Sequence, residues 1–323
     1  MSRDLVVALS GGIGGAKLAL GLSRIVAPDR LVVVANVGDD FEHLGLHISP
    51  DIDTLMYTLA GLDNAKLGWG REDETWSFME TLTALGGEDW FRLGDRDLAV
   101  HVERTRRLRR GETLSAVTAD FCRRLGVGPR VLPATNDRLR TRLRTDDGWL
   151  DFQDYFVRLR CRPVVQELAF VGAEEAKPQP DLLAALRDER LRAVVVCPSN
   201  PFISVEPILA VPDLRNAIAA CRAPVVAVSP IIGGSAIKGP TAKMMEELGT
   251  RPSAAAVAER YVDLVDGYVM DEADAAEASQ VAARVTLAAT LMTTLADRER
   301  LARVVLEAAD ALAASKRGRD LVA

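Results

Sequence analysis

The chain is expected to fold as an α/β protein: a Rossmann-like, doubly wound, mostly parallel sheet with an inserted α+β subdomain. Three observations predict it. Leu5-Val6-Val7-Ala8-Leu9 is an apolar run ending in glycines, as a buried parallel strand does. Residues 16–25 then carry Leu18, Leu22 and Ile25 at helical spacing, and residues 31–37 form a second apolar run, so the chain opens as a βαβ unit. Apolar runs ending in polar turns return late, at residues 193–197 and 224–228.

The elements between follow the same logic. Gly38-Asp39-Asp40 opens a loop rich in Gly, His and Pro, and a helix is expected from about Asp53 or Thr54. Helical stretches dominate residues 74–125. At residues 138–152 the pattern reads as a β-hairpin around Asp146-Asp147-Gly148, a D-G turn, and residues 166–171 as another strand. The expected organisation is a core of residues 1–130 and 190–323 interrupted by a subdomain at 131–189. A helix at 257–265, a short strand at 267–270 and an amphipathic helix at 298–314 close the chain.

The 323 residues are 48% hydrophobic and 27% charged, ample for a large core. A net charge of -6 argues against nucleic acid as partner. The arginines at 104–110 read as decoration of a helix face and those at 138–144 as part of a hairpin. Cys122, Cys161, Cys197 and Cys221 form no CxxC pair and read as free thiols of a cytoplasmic protein. His43 and His47 stand four apart, but Gly45 between them makes a shared helix face doubtful, and no zinc motif is present. No apolar run reaches membrane-spanning length, so no membrane partner is expected.

The chemistry concentrates where strands end. Ser10-Gly11-Gly12-Ile13-Gly14-Gly15 joins a strand to a helix, where free N–H groups and the helix dipole favour phosphate; Gly11, Gly12, Gly14 and Gly15 are the candidate contacts. Lys17 either adds a charge or faces solvent. The loop matches neither GxGxxG nor GxxxxGK[ST]. Asn36, Asp39 and Asp40 follow the second strand, with Asp51 and Asp53 in Ser49-Pro50-Asp51-Ile52-Asp53. Carboxylates beside a phosphate loop repel the substrate unless a cation intervenes, so Mg²⁺ is the expected cofactor. Asp53 taken alone equally suits a helix N-cap. Ser199, Asn200 and Ser229 end predicted strands on the same edge. Arg96, between Asp95 and Asp97, is either a ligand contact or a surface ion pair. Trp69, Trp76, Trp90 and Phe91 read first as core and alternatively as the wall of a heterocycle site.

Taken together, Leu9-Ser10-Gly11-Gly12-Ile13-Gly14-Gly15-Ala16-Lys17, Asn36-Val37-Gly38-Asp39-Asp40, Ile48-Ser49-Pro50-Asp51-Ile52-Asp53-Thr54, Gly68-Trp69-Gly70 and Leu93-Gly94-Asp95-Arg96-Asp97 resemble the 2-phospho-L-lactate transferases. Phe152-Gln153-Asp154-Tyr155-Phe156, Pro198-Ser199-Asn200-Pro201 and Val228-Ser229-Pro230-Ile231-Ile232-Gly233-Gly234 extend the likeness to about Asp271. This family, CofD or FbiA, serves coenzyme F-420 biosynthesis. The resemblance implies transfer of a 2-phospholactyl or enolpyruvyl-phosphoryl group from a guanosine diphosphate-activated acid to the ribityl hydroxyl of deazaflavin Fo, releasing GMP. It also implies a homodimer. By similarity Asp53 and Arg96 contact Fo, Asp53 or Asp51 accepts or orients the hydroxyl proton, and Asp39, Asp40 and Asp51 hold metal. Ser199, Asn200 and Ser229 contact nucleotide or acid. Ile13 stands where the family commonly has threonine, Ala134-Thr135-Asn136-Asp137 replaces a Met-Ser-Asp-like segment, and Glu206 replaces a small residue.

Two rival classes are weaker. A sugar-nucleotide-binding regulator like YvcK has a Gly/Ser-rich stretch after its acidic pair, whereas Phe41-Glu42-His43-Leu44 follows here. A nicotinamide-dependent oxidoreductase would carry an acidic ribose ligand at the end of the second strand, where Asn36-Val37 stands.

Overall fold

The computed structural model of the chain describes residues 3–64, 69–237 and 239–320, so Gly68 of the Gly68-Trp69-Gly70 motif lies outside the described residues. Strand β1 (Leu5–Ser10) is buried throughout, and α1 (Gly12–Ile25) follows after one residue. This helix starts four residues before the expected Ala16, because the glycines of the loop themselves form its first turn. Strand β2 (Leu31–Ala35) is also wholly buried. A small hairpin, β3 (Phe41–His43) and β4 (Leu46–Ile48), occupies the expected loop and carries His43 and His47.

Helix α2 (Pro50–Ala60) begins at a proline, favoured there because it has no N–H to leave unpaired. Ser49 is the N-cap residue, and Asp51 and Asp53 both sit in the first turn, which corrects the N-cap reading of Asp53. The predominantly helical region resolves into α3 (Ser77–Ala84), α4 (Asp95–Leu108) and α5 (Leu114–Arg124). Strand β5 (Arg130–Pro133) then returns to pair with β2.

The excursion comes next. β6 (Arg140–Thr145) and β7 (Gly148–Asp151) pair antiparallel across the expected turn, and β8 (Glu167–Val171) pairs with β6. Because β5 belongs to the central sheet and α6 (Pro180–Arg187) packs beneath it, the inserted part is narrower than residues 131–189. The chain then forms β9 (Leu191–Val196), α7 (Glu206–Leu209), α8 (Leu214–Ala219) and β10 (Val225–Val228). Two-residue arms, β11 (Ile231–Ile232) and β12 (Ser235–Ala236), precede α9 (Thr241–Glu247) and α10 (Ala254–Glu259). Strands β13 (Gly267–Asp271) and β14 (Arg284–Ala288) and the long helix α11 (Leu295–Asp320) complete the fold.

Seven strands make one central sheet in the order β14-β13-β10-β9-β1-β2-β5, with every pairing parallel. The chain runs outward from β1 through β2 to β5, then returns to β9 on the other side of β1. Strand direction therefore puts Ser10, Ala35 and Val196 at one edge, beside the switch in strand order, where open α/β sheets bind ligands. Among the described residues no helix is long and apolar enough to cross a membrane.

Helix α1 lies against the sheet and against α11, and the two helices meet at Gly21. A Cβ built on Gly21 would sit 2.1 Å from the carbonyl oxygen of Arg298. Alanine at a helix interior gains about 1 kcal/mol over glycine from propensity, but overpacking against fixed backbone costs about 1–3 kcal/mol or more. The clash wins. Gly21→Ala is expected to destabilise the protein by about 2 kcal/mol, read as a lower urea midpoint with an unchanged slope.

Candidate active site

The glycine loop is built by close approach. Gly12 has φ of 62°, left-handed backbone that side chains resist, and a Cβ on Gly14 would lie 2.3 Å from the carbonyl oxygen of Pro198. With no side chains in the way, the first turn of α1 settles against the loop after β9. The N–H of Gly11 donates to Ser199 Oγ at 3.2 Å, and that of Gly12 to Asp51 Oδ1 at 2.6 Å. The N–H groups of Ile13 and Gly14 have no acceptor within the helix and stand at the positive end of its dipole. Gly11, Gly12, Ile13 and Gly14 line a cleft of about 740 Å³, whereas Gly15 packs against Ser10 and Ser199. Lys17 also lines the cleft, its Nζ donating to the Met292 carbonyl at 3.0 Å.

Beside this loop stands the acidic group. Asn36 Nδ2 lies 3.1 Å from Asp39 Oδ1, 2.9 Å from Asp51 Oδ2 and 3.1 Å from the Ile203 carbonyl. The amide thus sits between two carboxylates, and its Oδ1 accepts the Gly38 N–H at 2.8 Å. Asp39 and Asp51 are buried yet line the cleft. Burial, then repulsion from Asp51 and Asp40, holds the Asp39 carboxyl well above its ordinary range. Burial pushes Asp51 up to about 6 against the hydrogen bonds from Asn36 and Gly12. Asp40 is turned away from the cleft lining. It accepts from Ser49 Oγ at 2.9 Å and lies 3.2 Å from His47 Nε2.

Asp53 lies one layer deeper, outside the cleft lining. Its carboxylate is gripped by both terminal nitrogens of Arg104, a side chain that is fully buried rather than on the decorated helix face expected of the 104–110 arginines. His101 Nδ1 is 3.7 Å from Asp53, and His101 Nε2 is 3.2 Å from Asp97, which also accepts the Tyr57 hydroxyl at 2.5 Å. Burial keeps the Asp53 carboxyl above its usual range even against Arg104. Burial also acts on Asp97, but the bonds from His101 and Tyr57 outweigh it and hold that carboxyl low. Among the described residues, Asp53, Asp97 and His101 are the one trio whose ligand atoms all fall within 4.8 Å, and Arg104 already supplies the cation there.

The far wall is aromatic. Trp69, Trp90 and Phe91 line the cleft from one side of the sequence, and Phe152 and Phe156 from the excursion. Trp69 is 47% exposed and Trp90 and Phe91 are half-buried, so these rings are cleft wall rather than deep core. Phe152 and Phe156 stack at 5.3 Å, and Phe41 and His43 pack behind Phe91 and Trp90. Arg96 is exposed and outside the lining, while Arg92, four residues earlier in the chain, lines it with its guanidinium 4.2 Å over the Trp76 ring. Ser199, Asn200 and Ser229 all line the cleft. Asn200 is partly committed to structure, its Oδ1 accepting from the N–H groups of Phe202 and Ile203. Ser229 Oγ accepts the Ile231 N–H. Leu291 and Met292, also in the lining, carry no sequence signal, because only the return of α11 beside α1 brings that loop to the cleft.

A helix N-terminus ready for anions, two facing carboxylates and an aromatic slot at the carboxyl edge of a parallel sheet form the cleft of a phosphate-handling α/β enzyme. The chain belongs to the family of the 2-phospho-L-lactate transferase CofD, whose family model matches residues 6–310. It is a phospho-acyl transferase of coenzyme F-420 biosynthesis. It is 42% identical over 317 residues to the phosphoenolpyruvate transferase of Kitasatospora aureofaciens, covering 94% of this chain and 98% of that protein. It is 43% identical over 310 residues to the Streptomyces coelicolor phosphoenolpyruvate transferase (94% and 96% covered) and 38% over 304 residues to that of Mycobacterium tuberculosis (86% and 91%). The solved structure of a UPF0052 family protein from Bacillus halodurans, BH3568, shares the fold at a TM-score of 0.62 and 16% identity, covering 95% of this chain and 99% of that one.

The buried pair beneath the cleft generates a stability prediction. Arg104→Ala leaves the Asp53 charge buried without its cation and is expected to cost about 3–5 kcal/mol in chemical denaturation. Replacing both residues by leucine should recover most of that loss, because no buried charge is then left alone.

Proposed function

We propose that the chain transfers an enolpyruvyl-phosphoryl group from guanosine diphosphate-activated phosphoenolpyruvate to the ribityl hydroxyl of deazaflavin Fo, releasing GMP. The observation that carries this reading is a single cleft with the glycine-started helix and the Asp39–Asp51 pair on one wall and the aromatic rings on the other. The phosphoenolpyruvate transferase names of relatives at 42–43% identity favour the enolpyruvyl acid over 2-phospholactate.

In this reading the donor diphosphate rests on the first turn of α1, with Lys17 beside it. The deazaflavin ring enters the aromatic slot, which presents the ribityl chain toward the carboxylates. The hydroxyl oxygen bonds to the phosphorus bearing the enolpyruvyl group, the bond from that phosphorus to the GMP oxygen breaks, and the hydroxyl proton leaves to solvent. Phosphoryl transfer of this loose kind rests on positioning and charge neutralisation more than on a strong base. Asp39 and Asp51 suit Mg²⁺, since two buried, mutually repelling carboxylates face the cleft with only an amide between them. When bound there, Mg²⁺ would neutralise charge on the transferred phosphoryl. Asp40 backs this pair through its own charge, and Asp53 positions the first turn of α2 from below.

The direct test is to incubate the purified protein with Fo and each guanylylated acid and weigh the products. Enolpyruvyl transfer with GMP release is expected, and no product from any donor overturns the reading. Asp51→Asn and Asp39→Asn should each lower turnover by about 100-fold or more, the scale of losing one charge-stabilising group. Without metal, Asp39→Asn should raise the thermal midpoint by removing a repelling charge, and the rise that Mg²⁺ produces in the wild type should vanish. Trp90→Ala should raise KM for Fo about tenfold, as loss of one stacking face does, and leave donor binding unchanged in calorimetry.

A further inference from the structure

We propose that Arg160 is the specificity residue that receives the carboxylate of the transferred acid; this assignment rests on the transfer reaction proposed above. Arg160 lines the cleft from the excursion, immediately after Phe156 and Val157 of the aromatic wall. Its side chain is exposed, and no hydrogen bond, ion pair or ring contact engages it among the described residues. The other two described cations of the lining are engaged. Lys17 donates to the Met292 carbonyl beside the glycine loop, and Arg92 covers the Trp76 ring.

The backbone under Arg160 is unusual. Arg160 and Cys161 have φ of 52° and 54°, consecutive left-handed residues that are not glycine. They end the helical turn of Asp154–Arg158, with the Cys161 N–H donating to the Tyr155 carbonyl six residues back at 2.8 Å, at left-handed backbone where glycine is the favoured residue. A strained position that glycine would satisfy better thus carries an arginine aimed along a ligand cleft, a pattern of functional rather than structural selection of residue type. The segment is anchored to the rest of the fold. Tyr155 is fully buried, Lys243 Nζ donates to the Pro163 carbonyl at 2.8 Å, and Glu247 Oε2 accepts the Val165 N–H at 3.0 Å.

Charge then identifies the ligand group. The donor carries a diphosphate and one carboxylate. The diphosphate has the helix N-terminus and Lys17 on the α1 wall, and the carboxylate-held cation at Asp39 and Asp51. The carboxylate is the anion left without a counterpart, and a guanidinium matches its two oxygens in a planar fork.

The test uses the full chain and calorimetry without Fo. The probes are the guanosine diphosphate-activated phosphoenolpyruvate and the P2-ethyl ester of guanosine diphosphate, which lacks the carboxylate. Arg160→Gly should raise Kd for the carboxylated donor about tenfold or more, the worth of a charged hydrogen bond, and leave Kd for the ethyl ester unchanged. Arg160→Lys should recover part of the loss, and the thermal midpoint of Arg160→Gly should equal or exceed the wild type. KM for Fo should stay within about twofold. Equal weakening of both donors, no weakening of either, or a rise in KM for Fo instead overturns the assignment while the transfer reaction stands. A wild-type protein that binds neither donor and forms no product overturns both.

Discussion

The bond from the Gly12 N–H to the Asp51 carboxylate ties together the parts on which the cleft depends. It joins the first turn of α1 to the first turn of α2, and Asn36, at the end of β2, binds the other oxygen of the same carboxylate. Ser199 holds Gly11 from the loop after β9. Three strand ends are thereby locked around one helix terminus. The glycines are required because this arrangement leaves no room for a Cβ at Gly14 and sets left-handed backbone at Gly12. The cost is a pair of buried carboxylates that repel one another at the cleft wall.

Charge is arranged in two layers by one short segment. Asp51 and Asp53 are two residues apart on a helix, so their side chains leave it in different directions. Asp51 turns up into the cleft beside Asp39, held by neutral hydrogen bonds from Gly12 and Asn36. Asp53 turns down into a closed network with Arg104, His101, Asp97 and Tyr57. The upper layer therefore faces the cleft, and the lower layer is closed by its own ion pairs and hydrogen bonds.

Much of the fold was legible locally. Val6 to Leu9, Leu31 to Val34 and Ala193 to Val196 are continuous apolar runs because strands of an all-parallel sheet are buried on both faces. Strand β14 was not legible, since an edge strand with Arg284 and Leu287 exposed shows no such run. The hairpin β3–β4 was hidden for a related reason: three-residue arms around Leu44 and Gly45, both at positive φ, are too short for alternation to register. The excursion was recognisable from its Asp-Gly turn, but its limits were not. Arg130–Pro133 and the helix at Pro180–Arg187 belong to the central sheet by pairing and packing that no local pattern records.

The sequence by itself determined the parallel sheet, the glycine-started helix and the acidic segments, because each rests on periodicity, backbone freedom or charge within a few neighbouring residues. It also placed Gly11, Gly12, Gly14, Asp39, Ser199, Asn200 and Ser229 at the ends of strands, and Asp51 in the acidic segment beyond the second strand. Only the tertiary structure decided which carboxylates face the cleft. Asp40 and Asp53 look equivalent to Asp39 and Asp51 in the chain, and the difference lies in Ser49, His47 and a buried Arg104 from a helix about fifty residues away. The same holds for the arginines: Arg92 and Arg160 line the cleft and Arg96 does not, because helix phase and a left-handed turn set the direction of a side chain, and neither is written in the identity of the residue.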